Sequence, residues 1–288
     1  EESFSRNFEW LFENLLTYDC SFNKHNLSIL GGATQQRAQY NASWMAGFDL
    51  AESYPDIHSI SAANQLDKDA CGSSASAWTL ASFLGRIAYN YDSRYLLTVN
   101  FRADGSSRFA PGHRWGIFPA VGGAWYVSHE KFFEPVQKVI STLKLRASYG
   151  RTGNDQLGET RFPYQEAMNT DAGGLNLGIS GISNGNAQNW FGGLSENRAY
   201  YANLRWEIED KTNIGFDLGL LNGQLDLSMD YFSNRRKDIL ITRNTVPSMS
   251  GLQSNPTQNY GIVSNKGVDG NLTFKQHVGG LNLTFRAN

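Results

Sequence analysis

Cysteine and proline are both scarce here: two cysteines and seven prolines in 288 residues. Cys20 sits in an alternating apolar pattern and Cys71 in a polar stretch, with no CxxC pair and no histidine at ligand spacing. Neither a disulfide framework nor a zinc site is therefore expected, and both cysteines read as free thiols. The five histidines are scattered and read as solvated loop residues. No apolar run approaches the roughly 18 residues of a membrane helix, which excludes helical spans only, because barrel strands alternate and keep a low average hydropathy. Charge of one sign is also missing: 25 Lys and Arg against 27 Asp and Glu give a net charge of -2. No nucleic-acid partner is expected from that balance.

Catalytic signatures are equally thin. The glycine pairs Gly173-Gly174 and Gly192-Gly193 lack the strand–GxGxxG–helix setting of a phosphate cradle. No nucleophile elbow or Ser-His-Asp arrangement stands out. Asp104 and Asp155 are read in loops with glycine, where an aspartate commonly stabilises a turn. The chain reads as a non-enzyme with no cofactor and no metal. It opens at Glu1 without a methionine, so the missing leader carries no information about compartment, and the whole of 1–288 is expected to be an internal piece of a larger domain.

What is abundant is glycine (29) and aromatic residues (13%), a mix that suits strands and turns. The plainest pattern runs from Thr79 to Ser128. Ala81, Phe83, Gly85, Ile87, Tyr89 and Tyr91 fall on one face; Ser82, Arg86 and Asn90 fall on the other. After a tight turn at Asp92-Ser93-Arg94, Tyr95, Leu97, Val99, Phe101 and Ala103 alternate against Thr98, Asn100, Arg102 and Asp104. Strand side chains alternate with period two, so one face of this sheet is apolar and the other wet.

The same pattern recurs along the chain. Leu16, Tyr18, Cys20 and Phe22 turn at Asn23-Lys24-His25 into a strand carrying Leu27 and Ile29. Residues 128–142 suggest a short helical turn interrupted by Pro135, followed by a strand at Leu143–Tyr149. Ile214, Phe216, Leu218 and Leu220 lead into Asn222-Gly223, a strong type I′ hairpin signal, and Leu225, Leu227, Met229 and Tyr231 return. A last hairpin is expected around Gln276–Gly280. Between these lie polar excursions at about 35–78, 104–114, 150–210 and 233–265, the third holding scattered aromatics including Trp206.

Short and long connections thus alternate strictly along roughly ten strands. In an up-and-down meander alternate connections share one end, so one rim is trimmed and the other carries large loops, as in outer-membrane barrels. A Greek-key sandwich gives no reason for that regularity. Mid-strand charges (Arg86, Arg102, Lys144, Arg146, Asp217, Asp230) suit a watery lumen or a plug surface. Tyr89, Tyr91, Tyr95, Trp125 and Tyr126 gather near one rim, where interfacial aromatics belong. The fold class predicted is all-β: an antiparallel up-and-down meander forming part of a large transmembrane β-barrel with long extracellular loops. A soluble β-rich sheet stays open as the alternative.

Several phrases resemble one family. SFLGRIAYNYDSRYLLTVNFRADGSSRFAPGHRWGIFPAVGGAW (82–125), SHEKFF (128–133), LKLRASYGRTGN (143–154), the run at 203–232, NRRKDILI (234–241) and NYGIVSNKGVDGNLTF (259–274) are similar to the SusC/RagA-type TonB-dependent transporters of Bacteroidetes. That resemblance implies a closed barrel of about 22 strands around an N-terminal plug. It further implies residence in the outer membrane, contact with its lipid, energised import of an oligosaccharide or peptide, a SusD-like surface lipoprotein as lid, and drive from the TonB complex. No plug, TonB-contacting segment or closing strands are recognised in the chain. A passive porin-like channel and a soluble carbohydrate-binding module are the competing functional classes. For ligand contact the candidates are Trp190, Phe191, Tyr200 and Tyr201, flat faces among Asn, Gln and Gly that suit sugar rings. Arg86, Arg102, Lys144 and Arg146 are expected to face the lumen or plug.

Overall fold

A ten-stranded antiparallel sheet in strict sequence order dominates the computed structural model of the chain. The structure describes residues 1–50, 60–157, 162, 164–165, 167–176, 190–198, 203–245, 255 and 257–288. The strands are β1 (Glu2–Phe22), β2 (His25–Leu50), β3 (Ala63–Tyr91), β4 (Tyr95–Ser106), β5 (Trp115–Tyr126) and β6 (Ile140–Asn154), then β9 (Glu207–Leu220), β10 (Leu225–Thr242), β11 (Thr257–Val278) and β12 (Leu281–Ala287). A separate pair, β7 (Ala167–Asn176) and β8 (Trp190–Arg198), lies between β6 and β9 in the chain.

The meander follows from period-two patterning plus turn chemistry. At one rim the connections are tight, and residues with positive φ make them so: Asn23 (φ 53), Asp92 (φ 51), Ser93 (φ 53) and Asn222 (φ 57). Gly223 (φ 82) completes the predicted Asn-Gly hairpin, since a type I′ turn needs positive φ at both central residues. The expected helical turn is present as two short 3-10 segments, Val127–His129 and Lys131–Val136, with Pro135 inside the second.

The polar excursions are shorter than the sequence suggests. β2 and β3 pair continuously from His25↔Tyr91 up to Trp44↔Gly72, deep into the 35–78 stretch read as a loop. Likewise β10 and β11 pair from Leu225↔Phe274 to Thr242↔Thr257, consuming most of 233–265. Asp104 belongs to β4, not to a loop. The physical reason is that alternation reports a difference between two environments. Once both faces meet water, Gln, Asn, Ser and Ala occupy either side and the pattern vanishes, while the backbone ladder still satisfies every N–H and C=O. At 26 and 29 residues, β2 and β3 far exceed the roughly 9–11 needed to cross a bilayer.

The two faces differ as expected. Phe83 is 55% exposed and Ile214 58%, whereas Ser82 on the opposite face is 1% exposed. Among the described residues no layer covers the apolar side. Concave volumes lie instead against the polar side, one of about 660 Å³ spanning β4 to β11. Polar inside the curve and apolar outside it is inverted relative to a soluble sheet, whose apolar face would be covered.

At the turn-rich rim the outer face carries a chain of rings. Phe22 stacks on His25 (4.9 Å), His25 meets Tyr91 (4.9 Å), Tyr91 stacks on Tyr95 (6.3 Å) and Tyr95 on Trp125 (6.3 Å). This continuous girdle spans five strands. At the opposite rim Phe109, Phe118, Leu204 and Trp206 form the buried cluster of the described residues. Above Ala120↔Gly150 the β5–β6 ladder stops, and Phe118 fills the seam. Glycine makes that possible: a Cβ on Gly153 would lie 2.1 Å from Phe118 Cζ, and one on Gly116 2.4 Å from it. Trp206, expected in a loop, is locked there by its indole N–H donating to the Arg114 carbonyl at 2.9 Å.

Candidate functional site

The concave face is built rung by rung from register. One rung reads Asn100, Ala120, Gly150, Lys211, Asn234, Asn265 across β4, β5, β6, β9, β10 and β11. The next toward the tight turns reads Thr98, Gly122, Ser148, Asn213, Phe232, Gly267. Small residues in the middle and amides at the sides leave the 660 Å³ hollow. Such a wall offers mainly neutral donors and acceptors, with Lys211 and Asp269 as its charged members, to whatever occupies the interior.

Below it sits a charged network. Arg146 Nη2 lies 2.6 Å from Asp230 Oδ2 and 3.1 Å from Asp217 Oδ1, and donates to Ser228 Oγ at 2.9 Å. Ser228 in turn donates to Asp217 at 2.8 Å, and Lys144 approaches Asp217 at 4.0 Å from beside the Tyr126 ring. Gly215 is required: a Cβ there would come within 2.2 Å of Asp230 Oδ1. Arg146 Nε and Asp230 Oδ1 are buried without a hydrogen-bond partner among the described residues. Each such group carries a desolvation cost of about 1–3 kcal/mol unless a partner is supplied from the interior.

The four basic residues singled out from sequence are separated by the structure. Lys144 and Arg146 share the network just described. Arg102 is held by Asp104 at 2.8 Å and reaches Ser82 Oγ at 3.3 Å. Arg86 lines a different hollow with Asp19, Asn26 and Asn90, and has no ion pair among the described residues. Of the ligand candidates, Trp190 and Phe191 begin β8, in register with Asn176 and Leu175. Tyr200 and Tyr201 lie outside the described residues.

Two features escaped sequence reading. Asp155, just past β6, accepts from Ser106 Oγ (2.9 Å) and pairs with Arg108 (3.1 Å), whose guanidinium stacks over Trp78 at 4.4 Å. This ties the Ser107–Arg114 connection across to the end of β6. Second, Glu130 is a hub at the turn rim: Tyr95 O–H donates at 2.7 Å, Trp125 N–H at 3.2 Å, and Arg94 lies at 3.4 Å. Those hydrogen bonds, Tyr95 first, hold its carboxyl below the usual range. Asp92 is likewise lowered, chiefly by the Lys24 hydrogen bond at 2.8 Å. Only the SHEKFF phrase hinted at this role.

Comparison with known proteins settles the family. Residues 3–288 match the family described as TonB dependent receptor-like, beta-barrel. The chain belongs to that family. It is 34% identical over 263 residues to TonB-dependent receptor P3 of Formosa agariphila, covering 90% of this chain and 24% of that protein. It is 35% identical over 205 residues to TonB-dependent receptor SusC of Bacteroides thetaiotaomicron, covering 69% of this chain and 19% of SusC. Among solved structures, the RagAB peptide transporter aligns with TM-score 0.77 and 25% identity over 96% of this chain and 28% of the other. The chain therefore spans about a quarter of the length of these relatives. The sheet is a stretch of SusC/RagA-type barrel wall, and the soluble-module alternative for the fold is set aside by the family match.

Proposed function

We propose that residues 1–288 serve as part of the barrel wall of an energised outer-membrane importer, driven by TonB and working with a SusD-like lipoprotein. The observation that carries this reading is the inverted sheet: a bare apolar convex face and a concave face of Asn, Thr, Ser and Gly. A lipid environment outside and a hydrated passage inside account for both. The similarity to the RagAB peptide transporter supports a peptide as cargo, and the resemblance to SusC/RagA-type transporters extends the candidates to an oligosaccharide. In this reading Arg86, Arg102, Lys144 and Arg146 face the lumen or a plug, and the orphan Arg146 Nε and Asp230 Oδ1 find partners on it. Trp190, Phe191, Tyr200 and Tyr201 offer stacking faces to substrate.

The test uses the complete receptor gene in its own bacterium. Deleting it should abolish uptake of one class of labelled oligosaccharide or peptide, and deleting TonB function should do the same. Uptake that persists without TonB would convert the reading to a passive channel. Monodisperse, detergent-free solubility of the complete receptor would overturn the membrane assignment altogether.

A further inference from the structure

Along the outward face the apolar band gives way abruptly to positive charge. In β10 the outward residues run Leu225, Leu227, Met229, Tyr231, then Ser233, Arg235 and Lys237. Their register partners continue the step: Arg235 pairs with Asp210, which pairs with Arg151, and Ser233 pairs with Lys266. Counting from the tight turn, Leu225 is the first position and Arg235 the eleventh. A barrel strand crosses hydrocarbon in about 9–11 residues, so this rung lies where the lipid headgroups of the long-loop side begin. Tyr149 on β6 marks the same boundary, its hydroxyl donating to Asp210 at 3.1 Å.

Among the described residues the charges here do not balance. Arg151, Arg235, Lys237 and Lys266 stand against the carboxylate of Asp210 on this outward rung. Asp210 is already engaged by Arg151 at 2.7 Å and Lys237 at 3.2 Å. Arg235 and Lys266 are exposed and make no ion pair among the described residues. On the concave side of the same strands the situation is opposite: Arg236 pairs with Glu207 (3.2 Å) and Glu209 (3.5 Å), and Lys211 with Glu209 (3.3 Å). The excess is therefore confined to the face that looks away from the passage, which removes substrate as its target.

We infer that the Arg151–Arg235–Lys237–Lys266 cluster is a binding site for the phosphate groups of an outer-leaflet lipid. Guanidinium forks match phosphate geometry, and basic residues at a membrane surface each contribute to attraction of anionic headgroups. Asp210 acts as the spacer: it orients Arg151 and Lys237 side by side and leaves Arg235 and Lys266 free for the ligand. The inference rests on the barrel reading given above.

The experiment takes the complete receptor, refolded or purified and checked by its heat-modifiable gel mobility, into three sets of vesicles. These are phosphatidylcholine alone, phosphatidylcholine with diphosphoryl lipid A, and phosphatidylcholine with dephosphorylated lipid A. Co-purified lipid is quantified after detergent extraction. Diphosphoryl lipid A should be retained in preference to the dephosphorylated form by about tenfold or more, given roughly 1 kcal/mol per basic residue at the surface. Inorganic phosphate in excess should leave that preference intact; its loss would assign the site to the free ion instead. The R235Q/K237Q double variant should lose most of the preference, R235K/K237R should keep it, and K24Q/K138Q should leave it unchanged. Equal retention of both lipid A forms by the folded wild-type barrel overturns the site without touching the barrel reading, and needs no variant to fold. Absence of heat-modifiable mobility would instead strike the barrel reading itself.

Discussion

Arg146 on β6 and Asp230 on β10 meet at 2.6 Å across β9, and the strand between them is bridged at Gly215, the one residue type that leaves room for the carboxylate. The pair is inward-facing, joins three strands, and leaves one atom of each partner without a hydrogen bond among the described residues. Removing Arg146 takes away the cation of Asp230, which has Asp269 in register beside it, and leaves Asp217 with Lys144 at 4.0 Å. R146M should therefore lower the stability of the refolded receptor by about 1–3 kcal/mol in urea titration. R146M/D230N should recover part of that loss, giving a coupling energy in the double-mutant cycle.

On the convex face, Val99 lies in register between Ile87 and Val121, all apolar. V99R should cost roughly 2–4 kcal/mol in lipid vesicles if it sits near the bilayer midplane, and N100R one residue along much less. The comparison is read from urea midpoints of barrels refolded in the same vesicles. Equal penalties for the two would mean the faces are not lipid and water.

The seam at the long-loop rim makes a steric prediction. With Phe118 Cζ 2.1 Å from where a Gly153 Cβ would be, G153A forces the ring or the strand to move. Overpacking of this kind costs about 1–3 kcal/mol. F118A alone is destabilising through the lost cluster, and G153A/F118A should be less destabilised than the sum of the two single changes. Urea midpoints measure each.

Acid should loosen the turn rim. Asp92 and Glu130 are held below the ordinary carboxylate range, so both bind fewer protons folded than unfolded. Stability from a depressed carboxylate is present above the unfolded value, near 4, and is lost as pH falls through the lower folded value. Hydrogen exchange of the amides at 92–95 and 126–131 should accelerate below about pH 4 in the wild type. In E130Q the exchange should already be faster at neutral pH and change less on acidification.

Substrate contact by the loop aromatics is tested by W190A/F191A and Y200A/Y201A in the complete receptor. Each ring that stacks on a ligand contributes about 0.5–1.5 kcal/mol, so a double alanine change should weaken binding measurably in calorimetry. Unchanged affinity in both pairs would move substrate contact to other loops.

Much of this wall was readable in the sequence because its information is local. Alternation over Ala81–Tyr91 and Tyr95–Asp104 reports two different solvents on two faces, and Asn222-Gly223 or Asp92-Ser93 encodes a reversal within a few residues. Strand order then follows, since a meander with short turns has only one arrangement of neighbours. Where both faces are wet the same logic fails. The upper halves of β2, β3, β10 and β11 carry no period, and only pairing across the sheet made them strands. The charged network was legible as polar mid-strand residues but not as a network: Arg146 and Asp230 are 84 residues apart, and the register of three strands brings them together. Trp206 likewise reads as a loop aromatic until Gly116 and Gly153 open a seam for Phe118 beside it. Sequence alone determined the two faces and the tight turns, because side-chain direction and turn geometry are properties of adjacent residues. Tertiary structure decided strand length, seam and ion-pair partners, because these depend on which residues a register places side by side.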